Sequence, residues 1–154
     1  FQSGNIRLAF HPTGDLWVGQ TARGWASRGI KPYGLQRLVW DGKTVPFELA
    51  NIAMTDTGFR LDFTAPVDPA SVSGDAIRAE QWHYHYSDAY GSEKMDLAGV
   101  PVVSAIPGSD GRSVEIAIEA APGTVLKVDF GAIRGADGRA PTTGLVYYTV
   151  NVTK

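Results

Sequence analysis

The chain has 154 residues, a formal net charge of −2 and no cysteine. The missing thiols exclude disulfides, thiolate catalysis and cysteine-held metal, haem or iron–sulfur centres within it. The charge leaves no broad basic footprint for nucleic acid, and no apolar run approaches the roughly 18 residues that a membrane-spanning helix needs.

Taken in chain order, Phe1-Gln2-Ser3 matches the residues after the tyrosine of a common engineered protease-cleavage tag. Residues 1–4 are therefore set aside from fold reasoning. Ile6 to Phe10 and Leu16 to Gly19 predict two short strands, separated by a turn in which Pro12 fixes φ and Gly14 accepts positive φ. A polar, glycine-rich stretch without period runs from Thr21 to Gly34. Leu35 to Trp40 resumes a strand, and Asp41-Gly42 signals a turn. Phe47–Met54 is a weaker strand. Phe59, Leu61 and Phe63 then alternate with Arg60 and Asp62. Asp68-Pro69-Ala70-Ser71 predicts one helical turn, with Asp68 as cap and Pro69 at its first position.

Trp82, Tyr84 and Tyr86 alternate with Gln81, His83 and His85, which predicts a strand with its aromatics in the core. Pro101–Ala105 is a second weaker strand. Val114, Ile116 and Ile118 form one further period-two run, Leu126, Val128 and Phe130 another. Val146, Tyr148, Val150 and Val152 form the last. Turn signals at Asp56-Thr57-Gly58, Gly108-Ser109-Asp110-Gly111 and Ala136-Asp137-Gly138 separate them. Seven strands over about a hundred residues predict an all-β fold: an immunoglobulin-like antiparallel β-sandwich over 48–154. Residues 5–47 carry too much apolar surface to float free and are expected to dock on it.

The stretch Phe10-His11-Pro12-Thr13-Gly14-Asp15-Leu16-Trp17-Val18-Gly19, with Gly34 to Trp40 and Pro46-Phe47-Glu48, resembles the closing region of glucose/sorbosone-dehydrogenase-type propellers. The likeness is to large secreted bacterial proteins of the membrane-bound-dehydrogenase type. Phe63 to Val72, Pro122-Gly123-Thr124 and Ile133 to Gly138 resemble bacterial immunoglobulin-like domains. The resemblance implies a propeller-blade remnant over 5–47 and a non-catalytic accessory domain. The implied parent is a periplasmic or extracellular oxidoreductase-like protein with a preceding propeller as partner. It also implies that any quinone cofactor, calcium or haem belongs to the rest of such a parent and not to these residues. No catalytic residue is carried over.

Three constellations point to chemistry. His83 and His85, two apart on a strand, would put both imidazoles on one face and could share a metal, with Met95, Asp96 or His11 as a third ligand. The simpler reading turns them to solvent. Trp25, Tyr33 and Tyr90, in glycine-rich or turn contexts, together with the aromatics around Tyr84, invite carbohydrate stacking. Arg23, Arg28, Lys31 and Arg37 form a local basic group around Trp25 and Tyr33 that could meet a polyanion or nucleic acid, but the overall acidity favours a solvated loop or pairing with acidic residues across a domain contact. Carboxylate pairs for hydrolysis can be drawn from Asp56, Asp62, Asp68, Asp75, Asp88, Glu93 and Asp96, but chance alone supplies such pairs among sixteen acidic residues. The sequence expects an accessory interaction domain, or alternatively a carbohydrate-binding module, without catalysis of its own.

Overall fold

The computed structural model describes residues 1–22, 29–88 and 90–152. The chain divides into two compact units, Phe1–Thr44 and Val45–Lys154. Every strand pairing described in either unit is antiparallel.

The smaller unit is one three-stranded sheet, β1 (Asn5–Phe10), β2 (Leu16–Thr21) and β3 (Tyr33–Leu38), in the order β1-β2-β3. The β1–β2 turn closes through His11 N–H to the Asp15 carbonyl and Gly14 N–H to the His11 carbonyl, both 2.8 Å. Gly14 sits at φ 92°, where a side chain is strained. Register places Leu8, Phe10, Val18 and Leu38 on one face and Trp17, Leu35 and Arg37 on the other. Residues 1–4 belong to this unit. The Ser3 and Gln2 N–H groups donate to Gln20 Oε1, the Lys31 N–H donates to the Gln2 carbonyl, and the Thr21 N–H donates to that of Gly4. Their backbone groups thus find partners on and beside the sheet, whatever their sequence resembles.

Among the described residues, the larger unit holds eight strands in two four-stranded sheets. They are β4 (Leu49–Thr55), β5 (Gly58–Phe63), β6 (Arg78–Tyr84), β7 (Lys94–Val100), β8 (Val102–Pro107), β9 (Ser113–Ile118), β10 (Thr124–Asp129) and β11 (Leu145–Val150). The sheet orders are β4-β5-β9-β8 and β11-β10-β6-β7, and neither closes into a barrel. Their facing apolar sides share one core. It contains Phe59, Leu61, Phe63, Val114, Ile116 and Ile118 from the first sheet and Ala79, Val100, Leu126, Val128 and Val150 from the second. Aromatic contacts bridge the two layers: Phe59 meets Tyr148 edge-on at 4.9 Å and Phe63 meets Phe130 at 5.7 Å, with Phe47 stacked on Phe63 at 4.9 Å. Such pairs add stabilisation beyond area burial.

Local chemistry explains the junctions. Asp68 caps the 3-10 turn Pro69–Ser71 by accepting from Ala70 N–H, with Pro69 where a missing N–H costs nothing. Gly58 closes the β4–β5 turn. A Cβ there would lie 2.2 Å from the Ile116 carbonyl oxygen, so only glycine allows β9 to approach. Glu48, just before β4, accepts from the N–H groups of Thr142 (2.8 Å) and Thr143 (3.2 Å) near the start of β11. It thereby ties an edge of one sheet to an edge of the other.

Two expectations are corrected. β7 is a strand where the sequence shows none: Lys-Met-Asp-Leu-Ala-Gly-Val has no period of two, because this edge strand is exposed along almost its whole length. It also carries a bulge against β6 with Asp96 at φ 53°. The aromatics of β6 face away from the core, not into it. Leu126 and Val128 face the core and stand opposite Gln81 and Ala79, so these two are the inward positions. Trp82 stands opposite Val125 and projects with Tyr84 from the outer face. Tyr86 lies beyond the strand and is fully exposed. Alternation alone cannot choose the side; the cross-strand register does.

Candidate functional site

The outer face of the β11-β10-β6-β7 sheet carries the densest group of recognition-type side chains in the larger unit. Trp82 is 2% exposed although it points away from the core. Tyr84 on the same strand and Tyr147 on β11 meet its ring edge-on, at 6.3 and 6.0 Å. Lys94, paired with Tyr84 across the β6–β7 hairpin, places its ammonium 3.8 Å from the indole centroid. That is a close cation–π contact with the electron-rich ring face. Tyr84 and Tyr147 are each about half exposed. The indole Nε1–H is buried and has no hydrogen-bond partner among the described residues. Buried polar groups are nearly always paired, so this donor is an exception that calls for a partner. Beside the cluster, Lys127 pairs with Glu80 at 3.4 Å.

Sequence reasoning missed Lys94 and Tyr147. The signal for Tyr147 was present: once Val146, Tyr148 and Val150 are inward, Tyr147 must be outward. Lys94 needed the hairpin register, which the bulge in β7 hides.

The histidine pair is separated by the end of β6 at Tyr84. His83 lies in the strand and approaches Asp96 at 3.5 Å. His85 follows the strand, and its N–H donates to Ser92 Oγ at 3.2 Å. His11 belongs to the smaller unit, in the β1–β2 turn, where its ring contacts Thr13 Oγ1 at 2.8 Å. Among the described residues, no three His, Asp or Glu side chains are grouped to hold a metal. Of the proposed sugar-stacking residues, Tyr33 opens β3 in the smaller unit and Tyr90 is fully exposed in the β6–β7 connection of the larger one. Trp25 lies outside the described residues, as do Arg23 and Arg28 of the basic group.

Several other carboxylates have structural partners. Asp62 accepts from Arg60 at 2.7 Å and from Asn51 at 3.1 Å. Asp110 accepts from Arg112 N–H and Ser113 Oγ and pairs with Arg60. The Arg112 N–H foremost, then the serine hydroxyl and Arg60, holds the Asp110 carboxyl down to about 2. In the smaller unit Arg37 binds the buried Asp15 and lowers its pKa. The Thr142 and Thr143 contacts do the same for Glu48.

A groove of about 970 Å³ opens at one end of the larger unit, where Phe59, Val100 and Ile118 meet Asp56 and Glu119. Gln81, the one polar inward residue of β6 there, accepts from Ala121 N–H at 3.1 Å.

The chain matches no known family model, no curated protein and no solved structure. The geometry offers an aromatic–lysine face and an apolar groove.

Proposed function

We propose that this chain is a non-catalytic accessory piece of a secreted, multidomain, propeller-type dehydrogenase-like protein, serving contacts with neighbouring domains or partners. In this reading the larger unit is an immunoglobulin-like sandwich. Lettering its strands A, B, C, C′, D, E, F and G along the chain supports this, because the sheets then read ABED and GFCC′. The smaller unit is a propeller-blade remnant. The observation that carries the reading is that its sheet leaves large apolar side chains in water on both faces, Leu8 and Phe10 on one, Tyr33 and Leu35 on the other. A blade is packed from both sides by its neighbours, so both of its faces are apolar. A free-standing sheet has no such need.

The test is binding of an apolar dye, 8-anilinonaphthalene sulfonate, to the folded chain. Wild type should bind the dye, and the Leu8→Ser, Phe10→Ser, Leu35→Ser variant should lose that signal while keeping its β-sheet circular dichroism. A wild-type chain that binds no dye would overturn the reading.

A second reading, a carbohydrate-binding module, is favoured by one observation: the half-exposed Tyr84 and Tyr147 flank Trp82 on an open sheet face, with lysines beside them. Sugars stack on aromatic faces while polar neighbours take their hydroxyls.

A further inference from the structure

We propose that the outer face of the β11-β10-β6-β7 sheet binds an acidic sugar chain, one whose rings carry carboxylates. The inference rests on the carbohydrate-binding reading and narrows it to one class of ligand.

Three features converge. The first is the edge-on aromatic group of Trp82, Tyr84 and Tyr147, built on strands of one sheet, with Lys94 over the indole face. The second is the buried Trp82 Nε1–H, a donor without an acceptor among the described residues. The third is charge. Glu80 and Lys127 neutralise each other at 3.4 Å, and Arg78 stands in register with Asp129. Lys94 has no carboxylate within 4.0 Å among the described residues; its ammonium rests on the indole face instead. The cation occupies the place where a sugar ring would stack. An incoming uronate replaces it: the C–H face of the sugar covers Trp82, and its carboxylate takes the displaced ammonium as a charge-assisted partner. A neutral sugar must displace Lys94 with nothing to offer it. The Nε1–H points along the indole plane, so its acceptor is a hydroxyl or carboxylate oxygen of an adjoining sugar unit at the ring edge and not of the stacked ring. The step is binding only; no bond is made or broken.

The experiment titrates the full chain, ¹⁵N-labelled, with trigalacturonate and with cellotriose as neutral control, following affinity by calorimetry and the Trp82 indole cross-peak by NMR. Trigalacturonate should saturate one site and shift that cross-peak. Lys94→Met, which keeps the apolar stem but removes the ammonium, should weaken it by about tenfold or more and should not weaken cellotriose, which then has no cation to displace. Tyr147→Ala should weaken both sugars by about tenfold. Lys94→Gln serves if the methionine variant misfolds. Cellotriose binding as tightly as trigalacturonate, through a shifted Trp82, would refute the acidic preference and leave the carbohydrate reading standing. Binding of neither sugar would refute both. Trigalacturonate binding that leaves the Trp82 cross-peak unmoved and survives Lys94 replacement would refute this face as the site.

Discussion

Replacing Ile116 by alanine probes the sandwich core at its centre. Ile116 lies on β9, opposite Phe59 of β5 on one side and Ala105 of β8 on the other, and is 1% exposed. The change removes three carbons. At about 0.8 kcal/mol per buried methylene, the lost transfer free energy alone is about 2.4 kcal/mol. The cavity adds to this where the surrounding Phe59 and Val114 side chains cannot collapse into it, so the total falls within about 2–5 kcal/mol. With a urea slope of roughly 2 kcal/mol/M for a unit of this size, the unfolding midpoint should drop by about 1–2.5 M. Native-state amide exchange on β5, β9 and β10 in the full chain reads the larger unit without interference from the smaller. The adjacent Glu115→Ala is the control. Glu115 points outward, with Arg60 3.9 Å away, and its loss should cost under about 1 kcal/mol. An Ile116→Ala midpoint unchanged from wild type, or a Glu115→Ala cost as large, would refute the face assignment of the whole β4-β5-β9-β8 sheet.

Other outcomes rest on the same contacts. Glu48→Ala should cost about 0.5–1.5 kcal/mol, since the Thr142 and Thr143 N–H groups lose their carboxylate but regain water; urea denaturation measures it, and faster exchange should be confined to the start of β11. Asp110 has its folded pKa depressed to about 2 from the usual 3.8. Its contribution is therefore fully present above pH 3.8 and is lost as pH falls toward about 2. An acid titration of thermal stability should show that loss in wild type and a flatter curve in Asp110→Asn. Calorimetric titration with zinc or copper should give no one-to-one site dependent on both His83 and His85, because His85 leaves the strand that holds His83; a stoichiometric site abolished by the double alanine variant would reverse that expectation. A dye-linked dehydrogenase assay with added quinone cofactor and calcium should give no turnover, since propeller cofactor sites draw on several blades.

Much of the architecture was legible because burial imposes a period. Leu61, Val114, Leu126 and Val128 alternate strictly and are fully buried, and Asp68-Pro69 announced its 3-10 turn by cap chemistry alone. Legibility failed where neither periodicity nor turn chemistry applied. β7 is an edge strand with one partner and solvent on its free side, so its sequence answers to no buried face. On β6 the pattern was right and the side was wrong. The inward residues there are Ala79 and Gln81, and Trp82 and Tyr84 lie outside, with Trp82 covered by Lys94 and Tyr147. Hydrophobicity points aromatics inward by default. Only pairing with Leu126 and Val128, whose own side is fixed by the core, reverses it. That reversal turns an expected piece of core into the candidate site, which is why Lys94 and Tyr147 escaped sequence reasoning.

The claim that this chain works through its surfaces is tested most directly by sedimentation velocity of the wild-type protein over a hundredfold concentration range, beside the Leu8→Ser, Phe10→Ser, Leu35→Ser variant. Uncovered apolar side chains on both faces of the β1-β2-β3 sheet predict concentration-dependent association of the wild type and a concentration-independent monomer for the variant. A wild-type chain that stays monomeric throughout, indistinguishable from the variant, would contradict the account.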